Sequence, residues 1–203
     1  MDSHAWDDRY AGSDPVWSLE PNQFVVSELA GLVPGPDGAL DLACGEGRNA
    51  IWLARQGWPV TAADFSEQGI ERGRALAGDL PITWQVGDAL TMALPMVDLA
   101  VIAYLQLPAE QRRTAVRRAF EALTPGGTLL VVAHDSSNLT EGTGGPQDPA
   151  VLYTAEDVLG DLDGSTFEVD RAERVARTVE KADDHGGSER LTAWDALVRL
   201  RRA

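Results

Sequence analysis

The residues from Asp41 to Ala50, Asp-Leu-Ala-Cys-Gly-Glu-Gly-Arg-Asn-Ala, are the part of this chain whose types and spacing could do chemistry. Gly45, Gly47 and Ala50 satisfy G-x-G-x-x-A, the loosest form of a fingerprint in which the amides of a tight turn meet a nucleotide. Asp64 follows where an acid would hold a ribose. The charges discriminate between ligands. A pyrophosphate is held by bare amides at a helix N-terminus, yet here Asp41 precedes the turn and Glu46 sits inside it, and two carboxylates oppose a diphosphate. They suit a ligand with an ammonium at its amino-acid end and a positive sulfur at its centre, the electrostatic description of S-adenosylmethionine. Arg48, directly after the turn, is placed to hold that ligand's carboxylate.

Such residues must be brought together by a frame, and the chain alternates short apolar runs with helix-period segments, the pattern of an α/β sheet. Residues 39–43 read as a strand, 49–56 as a helix closed by Gly57, and 60–63 as the next strand. Ser66 caps a helix running towards Leu80, and strands follow at 82–86 and 97–105. From Ala109 to Leu123 the positions Val116, Ala119, Phe120 and Leu123 fall on one helical face. That leaves Arg112, Arg113, Arg117 and Arg118 as an expected solvated face. Pro125-Gly126-Gly127 ends this helix, and 128–133 is uniformly apolar, as in a parallel strand buried on both faces. Pro21 starts a helix presenting Phe24, Val25, Leu29 and Leu32. Residues 139–150, rich in Gly and Pro, read as a functional loop or lid, and Thr154 to Asp157 has a capping-box pattern before a helix to Leu162. Residues 166–175 and 191–200 read as a closing antiparallel pair, joined by a polar stretch around Asp183-Asp184-His185 that offers no second cluster for a metal.

Residues 39–50 resemble the first motif of class I S-adenosylmethionine-dependent methyltransferases, and further matches follow in order. Asp64 matches the acid that binds the ribose hydroxyls, with Phe65 and Ser66 beside it. Gly87-Asp88-Ala89 resembles the adenine contact, residues 97–101 the fourth-strand motif, and residues 123–127 the turn before strand five. The front end, Trp6-Asp7-Asp8-Arg9-Tyr10, Val16-Trp17-Ser18 and Glu20-Pro21-Asn22, is similar to the segment that folds over the cofactor in the tellurite-resistance and thiopurine group. The resemblance implies a Rossmann-like α/β sandwich. Its seven-stranded, mostly parallel sheet has an antiparallel last strand and helices on both faces. It further implies one domain over 1–203, with a covering segment at 1–38, a cofactor-binding core at 39–135, and lid loop, helix and closing strands at 136–203. The cofactor set it implies is Trp17, Asp41, Gly45, Glu46, Gly47, Arg48, Asn49, Asp64, Phe65, Ser66, Asp88, Ala89 and Tyr104. S-adenosylhomocysteine would be the product.

Methyl transfer from a sulfonium is an in-line displacement that needs alignment in a dry site rather than a covalent intermediate. Tyr10, Trp17 and Tyr104 are candidates for an aromatic wall facing the cation, while Trp6, Tyr10 and Trp17 could equally be core aromatics pinning the front segment. His134, followed by Asp135 at the end of strand five, is the candidate for handling a proton, with Tyr10 the other catalytic candidate. A structural histidine is the competing reading of His134. Asp64 and Asp88 could instead cap helices, and Cys44 reads as a small buried residue rather than a nucleophile. A thiol acceptor asks little of a base, which favours a thiol or other chalcogen nucleophile. An NAD(P)-dependent oxidoreductase and a non-catalytic S-adenosylmethionine-binding module remain the competing functions.

Bulk properties bound these readings. The 203 residues are 44% hydrophobic and 24% charged, ordinary for a globular domain, and the net charge of −15 disfavours polyanion partners. Cys44 is the single cysteine, so no intrachain disulfide forms. No apolar run approaches a bilayer span, and the N-terminus lacks a signal-peptide pattern. The expectation is a cytoplasmic monomer or homodimer acting on a small-molecule methyl acceptor, without nucleic acid or membrane.

Overall fold

A computed structural model describes residues 20–182 and 188–203. The apolar runs become strands β1 (Ala39–Leu42), β2 (Val60–Asp64), β3 (Ile82–Val86), β4 (Val97–Ala103), β5 (Leu123–His134), β6 (Phe167–Ala182) and β7 (Ser188–Arg202). They form one sheet in the order β3-β2-β1-β4-β5-β7-β6. Strands β1 to β5 pair in parallel, and β7 lies antiparallel to both β5 and β6, so β7 alone opposes the rest. Between the strands lie α1 (Gln23–Leu29), α2 (Arg48–Arg55), α3 (Glu67–Ala77), α4 (Ala109–Glu121), α5 (Asn138–Glu141) and α6 (Ala155–Asp161).

Side-chain alternation along the central strands builds two apolar layers. Leu99 and Val101 of β4 and Leu130 and Val132 of β5 face Phe24, Val25 and Leu29 of α1 and Leu53 of α2. Ala100 and Ile102 of β4 and Leu129 and Val131 of β5 face Val116 and Phe120 of α4 and Val158 of α6. Helix starts are fixed by side chains that accept otherwise orphaned amides. Asn22 caps α1, Ser66 caps α3, and Thr154 and Asp157 form a reciprocal capping box on α6.

Two expectations need correction. The closing strands run well beyond 166–175 and 191–200, because β6 is an edge strand with a solvated face, and its polar residues pair as regularly as apolar ones. Of the four arginines of α4 only Arg113 is solvent-exposed; Arg112, Arg117 and Arg118 are not a solvated face. Arg112 is buried and forked onto Asp161, with Nε to Oδ2 at 2.6 Å and a terminal nitrogen to Oδ1 at 3.1 Å. Arg117 donates to the Asp163 carbonyl and Arg118 to the carbonyls of Ala89 and Met92. Arginine's long stem and fork let it cross the helix face and satisfy groups on neighbouring elements, which helical periodicity cannot register. Tyr10, Trp17, the remainder of the front segment to residue 19, and Asp183 to His185 lie outside the described residues.

Candidate functional site

Because β1 to β5 are parallel, their carboxyl ends share one edge of the sheet, and the strand order reverses there between β1 and β4. Crevices at such reversals are where open α/β sheets take ligands. The candidate residues collect along this edge. Asp41 is the third residue of β1, the glycine turn follows β1, and Asp64 ends β2. Asp88 lies two residues past β3, Tyr104 directly follows β4, and His134 ends β5.

The turn is held open by left-handed backbone. Gly45 and Gly47 have φ of 56° and 75°, and Gly47 serves as the N-cap of α2. A Cβ on Gly47 would stand 2.3 Å from the Trp84 ring, and one on Gly73 of α3 would stand 2.5 Å from it. Glycine is therefore required at Gly47 for both conformation and space. Ala43 and Tyr104, the first residues after β1 and β4, take φ of 62° and 60° without being glycine. Backbone held this way on both sides of the strand-order reversal is the kind of strain that collects at ligand sites.

The acids knit the turn together. Asp64 accepts from the Gly45 amide at 2.8 Å and from the Ser66 amide at 2.9 Å, tying the end of β2 to the turn after β1. Asp41 accepts from the Ala50 amide at 2.9 Å in the first turn of α2. Its burial, reinforced by the charge of Asp64, pushes its carboxyl up to about 7 against the lowering influence of that amide and of Arg48. Glu46 is buried and paired with Arg72 of α3 at 3.3 Å. Asn49 turns its side-chain oxygen to the Asn22 amide at 2.9 Å, so it docks the start of α1 onto the glycine turn. Phe65 and Arg48 are half-buried, whereas Ser66 is buried with its hydroxyl committed to capping α3. Asp88 is exposed and closes a local turn by accepting from Leu90 at 2.8 Å, with the half-buried Ala89 next to it. Burial, then the charges of Asp41 and Asp64, raise the Cys44 thiol well above its ordinary range, which keeps it protonated and unsuited to nucleophilic attack.

Two strands across from the glycine turn, a second cluster surrounds His134. Its ring lies 4.7 Å from that of Tyr104, and its Nδ1 faces Asp195 Oδ1 at 3.4 Å. Asp195 is fully buried on β7, directly opposite His134 in the β5–β7 register. Its Oδ2 accepts from the Tyr104 hydroxyl at 2.9 Å and from Arg177 Nε at 2.7 Å. Burial pushes the Asp195 carboxyl up, but His134, Arg177 and Tyr104 outweigh it and hold the group below its ordinary range. Burial and Asp195 raise the Tyr104 phenol, so it remains a donor. Gln106 accepts from the His134 amide at 3.1 Å and donates to the Val151 carbonyl at 2.6 Å. Tyr104, read from the sequence as part of a wall facing the cofactor, thus spends its hydroxyl on the His134 cluster.

Trp84, Arg177 and Asp195 escaped sequence reasoning, which placed Asn22 in the covering segment without its contact to Asn49. For Asp195 a signal existed, since it is the single acid in the stretch Leu191 to Leu200, where an inward-facing carboxylate demands a partner. Among the described residues no group of three His, Cys, Asp or Glu is disposed to hold a metal, and no helix is long and apolar enough to cross a membrane.

Residues 39–127 match the family model described as methyltransferase domain. A Mycobacterium tuberculosis protein described as an uncharacterized methyltransferase is 37% identical over 117 residues, 56% of this chain and 59% of that protein. Demethylmenaquinone methyltransferase of Clavibacter sepedonicus is 31% identical over 123 residues, 59% of this chain and 48% of the relative. The matched stretches thus span between about half and three-fifths of these relatives. Among solved structures, TehB from Haemophilus influenzae superposes with a TM-score of 0.72 at 20% identity, covering 99% of this chain and 67% of its own. The N-methyltransferase NodS from Bradyrhizobium japonicum, solved with S-adenosylhomocysteine, superposes with a TM-score of 0.70 at 22% identity, covering 98% of this chain and 97% of its own. Sequence match and sheet topology agree: residues 39–127 resemble a methyltransferase domain, and the chain has the fold of the class I S-adenosylmethionine-dependent methyltransferases.

Proposed function

We propose that this chain transfers a methyl group from S-adenosylmethionine to a small-molecule acceptor whose nucleophilic atom bears a removable proton, with a thiol or other chalcogen centre preferred. The observation that carries the reading is the crowding of Asp41, Glu46 and Asp64 around one glycine turn, where burial and mutual charge already press on Asp41. A cation relieves that crowding and a diphosphate aggravates it, which argues against the NAD(P)-dependent alternative. The residues that would hold the cofactor are Asp41, Gly45, Glu46, Gly47, Arg48 and Asn49 around the turn, Asp64, Phe65 and Ser66 after β2, and Asp88 and Ala89 after β3. When bound, the cofactor supplies an electrophilic methyl on a positive sulfur. The chain's own task is to orient the acceptor, exclude water and receive the acceptor's proton, and His134 is the group for the last of these.

A small acceptor is supported by charge. The chain carries −15, and most arginines of β6 and β7 are answered by acids, among them Arg171 by Glu28, Arg174 by Glu141, Arg177 by Asp195 and Arg201 by Asp170. In this reading residues 1–203 work as one unit in the cytoplasm, with 1–38, including Tyr10 and Trp17, covering the site.

The test is transfer of labelled methyl from S-adenosylmethionine to a panel of thiols, chalcogen oxyanions, phenols and amines, with products identified by mass. S-adenosylhomocysteine should raise the melting temperature and NAD(P) should not. Binding without transfer to any member of the panel would favour a non-catalytic module. His134→Ala should lower turnover by about 10²-fold, the usual scale of a general base, with cofactor affinity preserved. Undiminished turnover would make His134 a structural residue.

A further inference from the structure

Asp195 lies outside the matched methyltransferase segment, on the strand that runs against all the others. His134 Nδ1 and Asp195 Oδ1 are both buried, neither has a hydrogen-bond partner among the described residues, and they face each other at 3.4 Å. Two polar atoms stranded together in this way are one proton short of a bond, and a modest shift closes it. The other carboxylate oxygen is already fixed by two donors, Tyr104 and Arg177. A Cβ on Gly145 would stand 2.9 Å from the ring, so the loop before Pro146 packs closely against the imidazole.

We propose that Asp195 is a positioning residue that fixes His134 as the Nδ1–H tautomer, leaving the Nε2 lone pair to take the proton of the methyl acceptor. The inference rests on the reading of His134 as the proton-handling group. During transfer the acceptor atom forms a bond to the methyl carbon, and the bond from that carbon to sulfur breaks with its electron pair left on sulfur. The acceptor's proton passes to Nε2. The resulting imidazolium is paired with the buried Asp195 carboxylate, which Tyr104 and Arg177 keep ionised, and the proton is afterwards returned to solvent. Asp195 does not itself take a proton. The arrangement suits acceptors that enter protonated, such as thiols, hydroxyls and amines, over oxyanions that enter already deprotonated.

Donor geometry predicts an unusual result for one isosteric change. In Asp195→Asn the amide oxygen must stay with Tyr104 and Arg177, both donors, so the amide nitrogen is forced to face His134 Nδ1 and the ring must become the Nε2–H tautomer. The experiment is ¹⁵N NMR of histidine-labelled protein, with pH raised until the imidazole signals stop changing so that the neutral form is read. His134 is assigned by its loss in His134→Gln, since His4 and His185 are the other histidines. We expect Nδ1–H in the wild type and Nε2–H in Asp195→Asn. We also expect kcat on any acceptor found to fall by about 10²-fold or more, with S-adenosylhomocysteine binding retained. An Nε2–H wild type, or an unchanged tautomer in Asp195→Asn, overturns the proposal. The wild-type spectrum alone suffices if the variant does not fold. The tautomer is read without acceptor or turnover, so its failure is distinct from failure of the base role, which His134→Ala tests.

Discussion

Asp41 shows how a buried carboxyl carries a cost that a bound cation would relieve. Its carboxyl is pushed up to about 7 in the folded chain, whereas the unfolded chain has it near 3.9. Between those values the folded chain holds a proton that the unfolded chain has released. Stability of the ligand-free protein therefore falls as pH rises across that window, by an amount on the order of a few kcal/mol. A bound cation reverses the preference by favouring the ionised form. Affinity for S-adenosylmethionine should then rise with pH through about 7, with release of a proton on binding. Titration calorimetry near neutrality in buffers of different ionisation enthalpy reads that proton directly, and a signal independent of buffer would refute the linkage. Asp41→Asn keeps an oxygen for the Ala50 amide, so it should fold, gain stability at neutral pH and lose the proton release. Only the acidic character of this site is visible in the sequence. Its titration depends on burial and on the approach of Asp64, which the fold supplies.

At the scale of elements, the site edge is braced from one side by the contact of α4 with α6. Arg112 and Asp161 form a buried fork, and the same guanidinium lies 4.9 Å over the Tyr153 ring. Tyr153 in turn donates to the Leu105 carbonyl at 3.1 Å, in the segment that carries Tyr104 and Gln106. Arg112→Ala leaves the buried Asp161 charge with only Arg113, at 3.6 Å, and should cost about 3 kcal/mol in chemical unfolding, while Arg112→Met with Asp161→Leu should recover most of it. A loss below about 1 kcal/mol would mean that the pair is hydrated and not a brace. Periodicity and capping signals made every helix but α5, which falls in the stretch read as a loop, together with five parallel strands and the glycine turn, legible, because those features are local. Arg112 and Asp195 were not legible for one shared reason. Each is a charged residue whose partner lies on an element distant in sequence, so its burial follows only from how α4 meets α6 or how β7 inserts beside β5. The family resemblance implied seven strands with an antiparallel last one but no order, and apolar runs alone do not say that β7 lies between β5 and β6.

The whole molecule carries 32 acids against 17 bases, and the long-range part of that imbalance acts differently from the short pairs on β6 and β7. Exposed pairs such as Arg201 with Glu168 at 2.8 Å contribute about 0–1 kcal/mol each and are local. Repulsion among the excess acids extends over a Debye length of about 10 Å at 0.1 M salt and is screened beyond it. Added salt should therefore remove more repulsion than attraction, raising the melting temperature by about 2–4 °C between roughly 20 and 300 mM sodium chloride, as scanning calorimetry would show. A fall in melting temperature would mean that the arginine pairs outweigh the excess acids. The same field bears on the acceptor. Counterion release makes polyanion binding strongest at low salt, so structured RNA or duplex DNA should leave the protein's mobility unchanged even at about 20 mM salt. A retarded complex there would overturn the charge argument and would favour a nucleic-acid acceptor over the proposed small molecule.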